Sequence, residues 1–288
     1  MLFLISPAKS LDYETPAGHV PHTQPLFVQQ AAPLINALRK KSWRQVSKLM
    51  DLSRPLSELN VARYQAWTPE FTPQNSKQSV LAFNGDVYDG LNAKTLSADE
   101  LQWAQAHVCI LSGLYGVLRP LDLMQPYRLE MGTSLKVGRP DNLYQYWSKT
   151  IAPFLNERLN EQVSEQVNEQ VSEQVSKEVS EKFSAAAADA VKPLVVNLAS
   201  QEYFKSVNLK LLKARVVECV FEDFSSGSFK VVSFFAKKAR GMMVRHAIVN
   251  RITMPEALQS FNQEGYAFDS ATSTPERLVF RRKMEHAA

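Results

Sequence analysis

The amino-acid sequence predicts an α/β protein: a mixed β-sheet wrapped by helices in a single domain over residues 1–288, carrying a repetitive helical insertion at 161–188. Three observations lead there. Apolar runs of strand length alternate with stretches of helical periodicity along the chain. The early apolar runs are continuous, as in strands buried on both faces. No linker rich in Pro, Gly or Ser divides the 288 residues, which suffice to bury a sizeable core.

The first strand is expected at Leu2–Ser6; no basic segment precedes it, so it does not read as a signal peptide. Pro16, Pro21, Pro25 and Pro33 make the next stretch a loop. Helices are expected at Pro33–Arg39, Trp43–Leu49, Leu56–Trp67, Ala98–His107, Tyr144–Leu159 and Lys237–Val249. The remaining strands are expected at Ser79–Phe83, Val108–Ser112, Leu194–Leu198, Arg215–Phe221, Phe229–Phe235 and Leu278–Arg281. From Glu161 to Phe183 a tetrapeptide repeat places valines at 163, 167, 171, 175 and 179. A period of four against 3.6 residues per turn rotates the stripe by about 40° per repeat, so it cannot hold one buried face. An exposed polar helix without chemistry of its own is the expectation.

Composition excludes several classes. Hydrophobic residues make up 45% and charged residues 22%, ordinary globular usage. No apolar stretch approaches the ~20 residues of a membrane span. Cys109 and Cys219 lie inside apolar runs and read as buried thiols in a reducing compartment, so the protein is expected in the cytoplasm. No Cys/His cluster has metal spacing, and His19-Val-Pro-His22 lacks a carboxylate partner, so neither metal nor cofactor is expected. GxSxG and HExxH arrangements are absent from the sequence.

Charge is unevenly spread. The net charge is +4, but Asn156–Ala190 holds eight acids against three bases, while Lys205–Arg251 holds ten Lys or Arg against three acids. That basic segment fits a polyanion footprint. Within it, Lys237, Lys238 and Arg240 are expected in the first turns of a helix following a strand. Cations there oppose the macrodipole, and a bound anion would reconcile them with the free N–H groups. Lys205 belongs to the same footprint.

Three apolar strands run into serine-bearing polar turns: Leu4-Ile-Ser-Pro-Ala-Lys9, Ile110-Leu-Ser-Gly-Leu-Tyr-Gly116 and Val196-Asn-Leu-Ala-Ser-Gln-Glu-Tyr203. Ligands of open α/β sheets gather outside the carboxyl ends of strands. Ser6, Ser112 and Ser200 are therefore expected to converge on a polar pocket with Asn197, Glu202 and Tyr203. Lys9, Arg119 and Arg128 supply phosphate-matching cations nearby, Arg by its two-pronged fork and Lys as a point charge. The competing expectation pairs Arg119 with Asp122 and Arg128 with Glu130 as structural ion pairs.

Read together, Ile5-Ser-Pro-Ala-Lys9, Phe83-Asn-Gly-Asp-Val-Tyr-Asp-Gly-Leu91, Leu111-Ser-Gly-Leu-Tyr-Gly-Val-Leu-Arg-Pro-Leu-Asp122, Asn197-Leu-Ala-Ser-Gln-Glu-Tyr-Phe-Lys-Ser206 and Phe235-Ala-Lys-Lys-Ala-Arg-Gly241 resemble the YaaA peroxide-stress family. The resemblance covers nearly the whole chain apart from the Val163–Ala188 repeat. It implies resistance to hydrogen peroxide by limiting iron-driven damage to DNA, a fold with a positively charged cleft, and duplex DNA binding through a helix-hairpin-helix-like element. The turn Gly113-Leu-Tyr-Gly116 is the expected place of that element, with Ser112 beside it among the expected phosphate contacts. Two classes stay open: a sequence-tolerant DNA-binding protein without an obligate protein partner, and an enzyme acting on a phosphorylated small molecule or nucleotide. A narrow pocket would favour the second, a broad basic groove the first.

Overall fold

The continuous apolar runs sit where their composition sends them, side by side in one sheet. A computed structural model describes residues 1–174 and 193–283. The chain opens with β1 (Leu2–Ile5), β2 (Ser10–Leu11), α1 (Val28–Arg39), α2 (Trp43–Met50) and α3 (Arg54–Ala66). Next come β3 (Lys77–Gln78), α4 (Ser79–Ala82), β4 (Phe83–Asn84), α5 (Asp86–Leu91) and α6 (Ala98–His107). They lead to β5 (Val108–Ser112), β6 (Gly116–Leu118), β7 (Leu123–Met124), α7 (Leu143–Trp147) and α8 (Ile151–Gln174). The last part holds β8 (Leu194–Asn197), α9 (Gln201–Phe204), β9 (Arg215–Ser225), β10 (Ser228–Lys230), α10 (Ser233–Val249), β11 (Ala267–Phe268) and β12 (Arg277–Arg282).

The main sheet has the order β11-β12-β9-β8-β1-β5-β6, with β10 paired to β9. Its five inner strands, β12, β9, β8, β1 and β5, are parallel, and β11, β6 and β10 are antiparallel additions. The mixed α/β architecture is therefore as the sequence predicts. Parallel strands need covering on both faces, which is why β1 and β8 are fully buried runs. Numbered by their place in the chain, the five parallel strands run second-first-third-fourth-fifth across the sheet. In such a doubly wound order the strand sequence reverses between the first and third members, here β1 and β8, and a crevice opens outside their carboxyl ends.

Local signals explain several boundaries. Ser97 and Glu100 form a reciprocal capping box that starts α6 at Ala98, and Ser42 with Gln45 does the same for α2. Elsewhere the structure departs from sequence expectation. Ser79–Ala82 is one helical turn instead of a strand, because Ser79 N and Val80 N bond the carbonyls of Asp122 and Pro120. A short apolar run buried on all sides does not reveal its period. The helix expected from Pro33 starts earlier, at Val28, so Pro33 lies inside α1 and does not end the loop. The expected helix Tyr144–Leu159 is broken between Trp147 and Ile151. The expected strand Phe229–Phe235 stops at Lys230, and α10 starts at Ser233, so β-branched Val231 and Val232 misled the reading. Helix α8 runs on into the repeat as far as Gln174; the insertion's residues 175–188 lie outside the described ones.

Candidate functional site

The parallel alignment of β1, β5 and β8 brings their following turns to the same edge of the sheet. At the β1/β8 reversal Ser200 N donates to Ser6 Oγ at 2.9 Å, and the Ser6 hydroxyl donates to Ser200 Oγ at 3.3 Å. Outside this seam lies a crevice of about 430 Å³ whose walls include Ser6, Lys9, Asn84, Asp86, Ser200, Glu202, Tyr203, Lys237 and Arg240. Tyr88 of α5 holds the turn after β1 by donating to the Ser6 carbonyl at 3.1 Å.

One wall is delivered by a helix crossing. Gly241 of α10 and Gly90 of α5 let the two backbones touch: a Cβ on Gly241 would collide with the Val87 carbonyl, and one on Gly90 with the carbonyl of Lys238. With no side chains between them, α5 carries Asp86 and α10 carries Lys237 and Arg240 to the same opening. Lys237 Nζ stands 4.0 Å from Asp86 Oδ2. Arg240 is partly buried and makes no hydrogen bond or ion pair among the described residues. Burial pushes its pKa down, with Glu218 and Cys219 opposing. Asn84 and Asp86 also have side chains without hydrogen-bond partners among the described residues.

The other candidates divide into those that reach this crevice and those already committed elsewhere. Lys9 lines it and pairs with Glu130 at 2.9 Å. Glu202 lines it while accepting from Gly132 N at 2.9 Å. Tyr203 is buried there, its phenol pKa raised by burial. Asn197 is buried and caps its own turn by accepting from Ala199 N at 3.0 Å. Ser112 does not join Ser6 and Ser200. It is fully buried, accepts from Tyr115 N at 2.9 Å and shares a 2.6 Å hydrogen bond with the Tyr127 hydroxyl. Gly113 and Gly116 form a β-hairpin turn between β5 and β6, not a helix-hairpin-helix. Both are buried, against the Leu129 carbonyl and the Trp147 ring, so no nucleic-acid backbone can reach them.

Arg119 grips the buried Asp122 at 2.8 Å, and Arg128 pairs with Glu130 at 2.9 Å, so for these two the structural ion pairs are realised. Lys238 points to Glu264 at 2.5 Å, and Lys205 lies over the Tyr144 ring at 5.0 Å. Because α10 begins at Ser233, Lys237, Lys238 and Arg240 sit beyond its first turn, and the dipole argument for them lapses. Only Lys237 and Arg240 reach the crevice. Asn84 and Asp86 were missed as site residues. Asn84-Gly-Asp86 follows an apolar run as the other three polar turns do, and that shared pattern was the available signal.

No His/Cys/Asp/Glu cluster suited to a metal occurs among the described residues, and no helix among them is long and apolar enough to cross a membrane. Burial raises the thiol pKa of both Cys109 and Cys219 to about 12, leaving them protonated and poorly nucleophilic.

The family model for the peroxide stress protein YaaA matches residues 1–272. The chain belongs to the YaaA family. Relatives named UPF0246 protein agree along almost their whole length. One from Albidiferax ferrireducens is 57% identical over 283 residues, covering 98% of each chain, and one from Polaromonas naphthalenivorans is 58% identical over 282 residues with the same coverage. A third, from Bordetella pertussis, is 56% identical over 283 residues, covering 98% of this chain and 99% of its own. YaaA membership assigns the chain to the peroxide stress response.

Proposed function

We propose that the protein supports peroxide resistance in the cytoplasm by binding a phosphate-bearing small ligand in the β1/β8 crevice. Arg240 carries the reading: a half-buried guanidinium that makes no hydrogen bond or close ion pair among the described residues and opens onto a cavity. Partial burial thins the hydration of that charge, which is what pushes its pKa down. A phosphate offers it two parallel charge-assisted bonds in place of the lost hydration. Lys237 adds a second cation, and the Ser6/Ser200 seam adds hydroxyls. The volume of about 430 Å³ suits a metabolite or nucleotide. The two serines bond each other and have no histidine or carboxylate within hydrogen-bond reach among the described residues, so this site holds an anion more readily than it activates a serine.

A second reading makes duplex DNA the phosphate-bearing partner, bound without sequence preference and shielded from iron-driven damage. The exposed side chains of Lys9 and Lys237, 65% and 52% accessible, favour it, since cations at the mouth meet a backbone phosphate without burying it. Calorimetric titration with inorganic phosphate, adenosine monophosphate and a DNA duplex at several salt concentrations separates the two. Small-ligand binding that Arg240→Gln weakens at least about tenfold supports the first reading. Salt-steep duplex binding, with a log–log slope of about −0.9 per phosphate, and no small-ligand binding supports the second. Binding unaffected by Arg240→Gln in both assays overturns the crevice as the site.

A further inference from the structure

We infer that the crevice takes its phosphate on a sugar, with Arg240 and Lys237 holding the phosphate and Asp86 reading hydroxyls beside it. This rests on the phosphate reading above and goes on to name the ligand's chemistry.

The groups that decide it are those with nothing else to bind. Arg240 and Asn84 make no hydrogen bonds among the described residues, and Asp86 reaches only Lys237, at 4.0 Å. Lys9 and Glu202, by contrast, are occupied by Glu130 and the Gly132 amide. The open crevice therefore offers two cations, one carboxylate and one amide. A bare polyanion would satisfy the cations and be repelled by Asp86. A phosphoamine would bring its ammonium to Asp86 but also against Lys237. Neutral hydroxyls avoid both penalties: they donate to the Asp86 carboxylate while their phosphate faces the cations. An acidic side chain beside a phosphate site on a doubly wound sheet serves the ribose diol in the same manner.

The test uses the full chain titrated with inorganic phosphate, ribose 5-phosphate, adenosine monophosphate, 2′-deoxyadenosine monophosphate and O-phosphoethanolamine. Wild type should bind the diol ligands more tightly than the deoxynucleotide by about tenfold, the usual effect of a lost hydrogen bond to a charged group. Asp86→Asn should weaken ribose 5-phosphate or adenosine monophosphate by about tenfold while leaving inorganic phosphate unchanged or slightly tighter, because a charge opposing the anion is removed. A loss confined to the sugar-bearing probes cannot come from misfolding, and the thermal melt of Asp86→Asn checks that directly. Tight binding of ribose 5-phosphate identifies a free sugar phosphate; binding of the nucleotide alone identifies a nucleotide. Equal affinity for the deoxynucleotide, preference for O-phosphoethanolamine, or equal losses for all probes in Asp86→Asn overturns the sugar. Loss of that preference with Arg240→Gln still abolishing phosphate binding leaves the phosphate reading standing. Absence of phosphate binding in wild type removes both.

Discussion

Two strand ends lie side by side on this sheet: β1, which runs into Ser6-Pro-Ala-Lys9, and β5, which runs into Ser112-Gly-Leu-Tyr115. Each is an apolar strand, then a serine, then a tight turn with an arginine brought close. Around β5 the serine and Arg119 are matched: Ser112 serves Tyr115 and Tyr127, and Arg119 serves Asp122. Around β1 the serines are matched, but Arg240, Asp86 and Asn84 face open space. The same residue types build a structural corner in one place and a crevice in the other. The difference lies in whether the fold supplies counter-groups, which residue identity does not reveal.

The largest test breaks the wall that distinguishes the two corners. Gly241→Val inserts a side chain where the α5 and α10 backbones touch, and should cost more than about 3 kcal/mol in chemical denaturation, together with ligand binding. A normal melt would show that the crossing can open. Next come the paired and unpaired arginines. Arg119→Gln leaves the buried Asp122 without its ion pair and should destabilise by about 3 kcal/mol while sparing ligand affinity. Arg240→Gln should do the reverse, with stability within about 0.5 kcal/mol of wild type and binding lost. Equal stability losses in the two variants would erase the distinction.

How much of this was legible beforehand follows from the same contrast. Six of the seven expected strands and all six expected helices mark real elements or parts of them, because length and hydrophobic continuity signal burial. Ser6, Ser200, Lys9, Lys237 and Arg240 could be named because phosphate chemistry restricts the residue types. Ser112 and Arg119 could not be told apart from them: Asp122 and Tyr127 become partners only once the β5–β6 hairpin has formed. Ser79–Ala82 defeated the reading for a related reason, since long-range carbonyls, not periodicity, set its conformation.

A third measurement probes matched burial by pH. Burial lowers the His107 pKa from 6.5 to about 4, reinforced by the nearby Met1 ammonium and Arg158. The folded state thus prefers neutral imidazole, while the unfolded chain protonates near 6.5. This contribution is complete above the unfolded value and declines as pH falls toward 4, amounting to about 2 kcal/mol by pH 5. His107→Phe preserves an aromatic ring against Trp103, stacked at 3.9 Å, and should flatten that part of the pH–stability curve. An unchanged curve would assign the slope to other groups. The smallest effect is expected at the thiols: with pKa values near 12 and no exposure, Cys109 and Cys219 should resist alkylation in the native state, and Cys109→Ser with Cys219→Ser should leave the peroxide phenotype unchanged. Rapid native labelling would reopen a thiol chemistry.

The adjacency of β1 and β8 also has a temporal side. Ser6 and Ser200 touch across 194 positions of chain, and the intervening sequence includes the valine repeat. During synthesis β1 can pair with β5 long before β8 has left the ribosome, so one flank of the first strand waits as an open edge. The crevice is therefore among the last features to exist, and Arg240 completes it still later. Lengthening the repeat would enlarge the loop to be closed, but each doubling of a flexible loop adds only about 0.6 kcal/mol. A chain built this way can tolerate an expanding repeat at its middle while its ends still meet at the same two serines.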